Sequence, residues 1–437
     1  MTPATRTFLF SPWSHGVGFG YIGRALTVAT ELREAGHRCL FACDTAEGIV
    51  ARSGFEVVGA PSGHNRAVPD MGRRQGQYIS IDTLDTAFAI AGYYHADRVR
   101  ADVLTDVATI RDCAPDAVVV DMQPTAALAA RHLGVPVISV GDSDFYRPTA
   151  NSWMPWLPDE DMVSPYPSCV PAFNTVAAEL AVDPVDHVTE LLIGDLTLVA
   201  SVPELEADQE PLPWREDMHF VGPIFWDPPW STVAQTLAGH GRDRTRIYIT
   251  LGHGGKATGD QLQPILDMCA ELDCAAFVSL GFRPDDALPT LPPNVLAGGF
   301  TGISEPIRWA DLVINHGGYS TVLTSLMHGK PQIILPFMSE QEANGVLFAE
   351  AHKAGFVLRR TSRSDGGPRH FTHRLRYSGE STDGWCTAEE WRLAVEEVLS
   401  DSSFAAGAAR ISGAIREVTE ARALTRTITA FLDRRNG

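Results

Sequence analysis

The sequence is short of positive charge. Its 437 residues hold 35 Lys and Arg against 54 Asp and Glu, a formal net charge of −19. An acidic surface repels phosphate backbones and anionic lipid. Nucleic acid and membrane surfaces are therefore excluded as broad partners, while a local site for one small anion stays possible. Long apolar runs are missing as well. No stretch reaches the ~18 uninterrupted apolar residues that span a bilayer, and the richest, Ala126 to Val140, is broken by Arg131 and His132. The apolar part of MTPATRTFLFSPW is too short for a signal-peptide core, so a soluble, cytoplasmic chain is expected. Cysteine is scarce: seven residues, an odd number, with no CxxC and no Cys/His metal spacing. Reduced, mostly buried thiols are expected, with Cys39 and Cys43 sharing one face of a strand. Repeats and low-complexity segments are also lacking.

The hydrophobic set makes up 44% of the chain, ample for globular cores, and the length suits two or three domains. A strand is expected at Cys39–Cys43, and short β-branched runs occur at Ala117–Val120, Val137–Val140 and Leu196–Ala200, with helical patterns between them at Asp97–Cys113 and Thr125–Leu133. Continuous apolar strands alternating with helices predict a parallel sheet covered on both faces. A Pro- and Trp-punctuated break follows at Gly222–Arg242. The pattern then restarts, with strands expected at Ile247–Leu251, Ala275–Leu280, Leu312–Asn315, Gln332–Leu335 and Phe356–Leu358, and a helix at Gln261–Leu272. The expected divisions are residues 1–221, a linker at 222–244, a second domain at 245–400, and a helical tail at 401–437 that packs back on the first domain. The polar, Arg-rich stretch Arg359–Trp385 reads as a long loop.

Two glycine-rich turns carry the chemistry. Gly18-Phe-Gly20-Tyr-Ile-Gly23 lies between a strand and a helix, and Asp44 closes the next strand. In form this is a dinucleotide fingerprint. Gly16 and His15 exceed what that fingerprint needs and suit an open loop bordering a cleft. In the second half, the strand Leu312–Asn315 runs into His316-Gly317-Gly318-Tyr319-Ser320-Thr321 and then a helix. Backbone N–H groups and a helix dipole attract an anion there, and Ser320, Thr321 and His316 add donors. A plain strand–helix turn with a core His316 is the alternative. After the strand Gln332–Leu335, Glu340 and Gln341 stand at its carboxyl edge, an acid and an amide suited to vicinal sugar hydroxyls. A helix-start cluster with Ser339 as N-cap is the competing reading.

Together these stretches resemble the nucleotide-sugar-dependent glycosyltransferases of the GT-B fold, in the superfamily of antibiotic and UDP-glycosyl transferases. The carriers are residues 20–37, 218–224, 315–321 and 336–344, and the spacing of His-Gly-Gly to Glu-Gln is the most specific part. The resemblance implies an α/β chain of two doubly wound Rossmann-like domains facing a central cleft. It implies an inverting, metal-independent transfer with no resident cofactor: a UDP- or TDP-sugar donor in the C-terminal half, and a small, largely apolar acceptor, such as a natural-product scaffold, in the N-terminal half. His316 would contact the diphosphate, Gly317, Gly318, Ser320 and Thr321 would form its turn, and Glu340 and Gln341 would bind sugar hydroxyls. Gly252 and His253 would face the phosphates from the other side. Phe300 would stack on the nucleobase, with Ile303 beside it.

One feature departs from that family. Its general-base His falls on Tyr21, whereas Asp121 stands where its base-orienting Asp does. His15 can substitute as base. Tyr21 is a poor one, its phenol having a pKa of about 10. Otherwise the acceptor needs little activation, as in C-, N- or S-glycosyl transfer. Acceptor-side candidates are Tyr93, His95, Asp142 and Asp144, each also explicable by packing or capping. Trp153 and Trp156 sit in a Pro-rich loop. An NAD(P)-dependent oxidoreductase and a non-catalytic helper protein are the rival classes. A monomer or a homodimer is expected.

Overall fold

The fold was analysed in a computed structural model. It describes residues 5–13, 19–43, 47–59, 81, 83–147, 166–207, 209, 211–252, 259–281, 290–358 and 386–436. His15, Gly16, Gly18, Asp44, Trp153, Trp156, His253 and the 359–385 stretch lie outside them.

Two parallel sheets organise the chain. The first contains β1 (Thr7–Pro12), β2 (Arg38–Phe41), β3 (Glu56–Val57), β4 (Ala117–Asp121), β5 (Val137–Gly141), β6 (Leu196–Val199) and β7 (Met218–Phe220), in the order β3-β2-β1-β4-β5-β6-β7. The second contains β8 (Thr245–Thr250), β9 (Cys274–Ser279), β10 (Val295–Gly298), β11 (Leu312–Asn315), β12 (Gln332–Ile334) and β13 (Gly355–Val357), in the order β10-β9-β8-β11-β12-β13. Every pairing in both sheets is parallel. The central strands are apolar on both faces because helices cover both: β4 and β5 are buried at every position. The short edge strands β3, β7 and β10 have mixed burial, which is why no continuous apolar run announces them.

Strand order reverses between β1 and β4 in one sheet and between β8 and β11 in the other. At such a switch point the flanking helices diverge, and a crevice opens beyond the strands' carboxyl ends. In register there, Pro12 pairs with Asp121, and Asn315 with Thr250. The residues that follow, Trp13, Met122, Gly252 and His316, all line one cleft between the sheets.

A continuous apolar core joins the two halves, running from Phe8, Leu26 and Phe41 to Val322, Leu326 and Ile411. The C-terminal helices reinforce it. Ser402–Ala421 packs on Tyr319–Met327, where Ser412 Oγ donates to the Met327 carbonyl at 2.6 Å. Leu424–Asn436 crosses to the first helix, Gly20–Glu34. Gly222 lets the linker pass beneath the tail: its φ is +70°, and a Cβ would lie 2.5 Å from Thr419 Oγ1. All seven cysteines are free thiols. Among the described residues no helix is long and apolar enough to cross a membrane.

Candidate active site

The cleft encloses about 1520 Å³, part of it open to solvent. One wall comes from the second sheet. The loop after β11 turns into the helix Tyr319–Met327, whose first turn presents Gly318, Ser320 and Thr321 to the cleft. The amides of Thr321 and Val322 bond back to the Gly318 carbonyl at 2.9 and 3.0 Å. The amides of Tyr319 and Ser320 precede any helical carbonyl partner, the arrangement by which helix termini can receive an anion. His316 lies between two glycines: a Cβ on Gly252 would come 3.0 Å from its Nε2, and one on Gly318 would come 2.6 Å from it. Those glycines therefore make room for the imidazole.

Gly317 belongs to the turn itself, with a φ of +85°. Its amide donates to Asn315 Oδ1 at 2.8 Å, and it does not line the cleft. A Cβ there would meet the Gln341 carbonyl oxygen at 2.2 Å, so the glycine is needed to seat the loop on the next helix. That helix, Ser339–Asn344, brings Glu340 and Gln341 to the cleft. Asn344 Nδ2 holds Glu340 Oε1 at 2.7 Å and the Gly317 carbonyl at 2.9 Å. Gln341 Oε1 accepts from the Phe337 amide at 2.9 Å, which leaves the Gln341 amide nitrogen for a ligand. Phe300 and Ile303 complete this wall. Phe300 stands edge-on to Phe19, centroids 5.0 Å apart, and 6.4 Å from Trp226. The linker Asp227 accepts from the amides of Ile303 and Ser304 at 2.8 and 3.2 Å.

The opposite wall belongs to the first sheet and is mostly apolar: Trp13, Ile81, Ala87, Ile90 and Met122. Tyr21, Arg24 and Asp142 supply its polar groups. Arg24 is 1% exposed and holds two carboxylates. Its Nε and Nη2 donate to Asp121 at 2.8 and 2.9 Å, and its Nη1 donates to Asp142 Oδ1. Burial disfavours the guanidinium charge, and Asp121 and Asp142 more than restore it. Burial pushes the Asp142 carboxyl well above the usual carboxylate range, against the pull of Arg24. It pushes the Tyr21 phenol well above the tyrosine range, with Glu340 and Asp142 adding to the effect. Tyr21 is therefore a hydrogen-bond donor at neutral pH, not a base.

Several first-sheet expectations change. Asp121 is clamped bidentately by Arg24 and lies behind the cleft wall, so within the described residues its partner is an arginine rather than a histidine. Tyr93 does not reach an acceptor: it is 0% exposed, and its hydroxyl bonds Asp102 Oδ2 at 3.1 Å. His95 is exposed at the start of the helix Ala96–Cys113, away from the cleft. Asp144 is buried against Arg147 at 3.2 Å and does not line the cleft; burial raises it to about 7. Ser339 is no N-cap either. Its Oγ accepts from the Ile81 amide at 2.8 Å and donates to the Ile81 carbonyl, bridging the two walls. Arg24 and Ile81 escaped the sequence reading. A charged residue within the apolar stripe of the first helix was the one signal for Arg24.

The glycine turn at Gly20 and Gly23 faces the other half of the protein. A Cβ on Gly20 would lie 3.5 Å from Ser320 Oγ, and one on Gly23 3.4 Å from the Trp226 side chain. That is a cleft wall rather than a dinucleotide cradle. Among the described residues no group of three His, Cys, Asp or Glu side chains could hold a metal ion.

This architecture is that of a two-domain sugar-transferring fold, and comparisons with known proteins agree. Residues 290–366 match the glycosyltransferase family 28 C-terminal domain. The chain is 26% identical over 348 residues to a PGL/p-HBAD biosynthesis glycosyltransferase of Mycobacterium tuberculosis, spanning 74% of this chain and 72% of the relative. The spinosyn forosaminyltransferase SpnP superposes with a TM-score of 0.67 at 20% identity, covering 99% of each chain. The spinosyn rhamnosyltransferase SpnG complexed with thymidine diphosphate gives 0.67 at 18% identity, over 97% of this chain and 99% of that one. The chain is a glycosyltransferase of the GT-B fold.

Proposed function

We propose that the protein transfers a sugar, with inversion and without a metal, from a UDP- or TDP-sugar to a small, largely apolar acceptor of the natural-product kind. One observation carries the reading. The amino end of the helix Tyr319–Met327, with Ser320, Thr321 and His316, faces an apolar wall built by Trp13, Ile90 and Met122 across one cleft. The helix end and its donors would stabilise charge growing on the departing diphosphate, commonly the largest catalytic contribution in such sites. That arrangement offers backbone dipoles and side-chain donors where other enzymes use a metal cation, which supports the metal-free reading. Glu340 and Gln341 stand between the helix end and the apolar wall, where a donor sugar would lie. With donor and acceptor on opposite walls, the acceptor attacks the anomeric carbon from the face away from the diphosphate. That is direct displacement, and it inverts the centre.

Phe300 would stack on the base, with Phe19 and Trp226 around it. The thymidine diphosphate held by SpnG favours testing TDP beside UDP. A thermal-shift series with UDP, TDP and GDP tests the reading, because a ligand that binds only the folded state raises Tm by mass action. A rise with UDP or TDP is expected. No rise with either would reject the donor assignment. Proton NMR of the product's anomeric coupling tests inversion.

A further inference from the structure

A hydroxyl acceptor must lose a proton as its oxygen bonds to the sugar, and few groups in the cleft can take it. Tyr21 stays protonated, its phenol raised by burial. Asp121 is clamped through both oxygens by Arg24 behind the wall. Glu340 belongs to the donor wall and is tied to Asn344. Asp142 differs from all three. It follows β5 at the carboxyl edge of the sheet and lines the cleft on the acceptor wall. Arg24 holds its Oδ1, while Oδ2 accepts no hydrogen bond among the described residues.

The geometry points to Asp142 as the general base that takes the acceptor's proton, with Arg24 as its positioning residue. The inference deepens the glycosyl-transfer reading and rests on it. Arg24 spends two N–H groups on Asp121 and a third on Asp142, which fixes the second carboxylate's orientation. One guanidinium and two carboxylates leave the buried cluster with a single negative charge. Proton uptake by Asp142 brings it to neutrality and leaves the Arg24–Asp121 pair intact.

The step balances as follows. The acceptor O–H proton passes to Asp142 Oδ2. The freed oxygen pair forms the bond to the anomeric carbon. The bond from that carbon to the phosphate oxygen breaks, and its electron pair leaves with the diphosphate. Several groups face Asp142: Tyr21 and Arg24 from the first helix, Asp121 from β4, Asp144 and Tyr146 beyond β5, and Glu340 and Tyr319 from the other wall. Burial among these carboxyls raises Asp142 and so strengthens it as a proton acceptor, while Arg24 pulls the other way and favours the carboxylate.

The test compares wild type with D142N, D142E and H15A, using TDP-glucose and UDP-glucose as donors. The acceptors are 4-methylumbelliferone, phenol and the already ionised 4-nitrophenolate, and donor hydrolysis is followed alongside. D142N is expected to lower kcat with phenol by ~10²–10⁴-fold, the usual worth of a general base. Its loss with 4-nitrophenolate should shrink to within about tenfold, because no proton remains to be moved. The acidic limb of the wild-type pH–kcat profile should vanish in D142N and survive, shifted, in D142E. Donor hydrolysis should fall in parallel. The Tm rise with UDP or TDP should be unchanged in D142N, showing an intact donor site. The assignment is overturned if D142N turns over like wild type, if its loss is equal for phenol and 4-nitrophenolate, or if H15A rather than D142N removes the acidic limb. A wild-type chain whose Tm ignores both diphosphates overturns the reading of the cleft itself, a separate and recognisable failure.

Discussion

Replacing Arg24 with Met removes the one cation that, among the described residues, is bonded to Asp121 and Asp142, and three hydrogen bonds with it. Both carboxyls are almost wholly buried, at 3% and 5% exposure. Breaking a buried ion pair from one side costs about 3–5 kcal/mol, because the partner charge stays behind unpaired. In a domain of roughly 200 residues this corresponds to a Tm loss of about 6–20 °C. The loss must also depend on pH. Burial already raises both carboxyls, and without Arg24 they rise further. A carboxyl whose folded-state pKa lies above its unfolded value stabilises most at acid pH, and that stability is lost as pH rises through the folded-state value. The R24M penalty should therefore be larger at pH 8 than at pH 5. Thermal melts of both proteins at the two pH values measure it. A Tm drop below about 2 °C at pH 8, or an equal drop at both, would refute the view that Arg24 neutralises this cluster.

Three further outcomes are expected. H316A should lower kcat by ~10²–10³-fold while leaving the circular dichroism spectrum intact, since removing one preformed donor to developing charge costs about that much; steady-state kinetics decide it. S339A should loosen the bridge to Ile81, costing about 1–2 kcal/mol, and raise donor hydrolysis relative to transfer, read from nucleoside diphosphate release with and without acceptor. Asp106, buried beneath the helix Pro124–Leu133 and raised to about 7, should make wild-type stability fall as pH rises from about 4 to 7. D106N should flatten that slope in urea melts.

Much of the second-sheet wall was legible in the sequence. His316, Ser320 and Thr321 follow one strand and open one helix, so their chemistry is local. Glu340 and Gln341 behave the same way after β12. The apolar strands could be read because a parallel sheet buries both faces. Edge strands β3, β7 and β10 carry weaker patterns and were missed. The first-sheet wall was misread where a side chain's place depends on a distant partner. Tyr93 reads like a cleft aromatic until Asp102 and the core enclose it. Asp144 reads like an edge carboxylate until Arg147 takes it.

The sequence by itself determined the two α/β halves, the glycine turns and the helix that opens after His316, because periodicity and turn chemistry act over a few residues. Only the tertiary structure decided which charges meet. Arg24 lies 97 residues from Asp121 and 118 from Asp142, and Ser339 lies 258 from Ile81. Arg24 meets its two carboxylates because the first helix packs over β4 and β5, and Ser339 meets Ile81 because the two sheets share one cleft; no local pattern encodes either meeting.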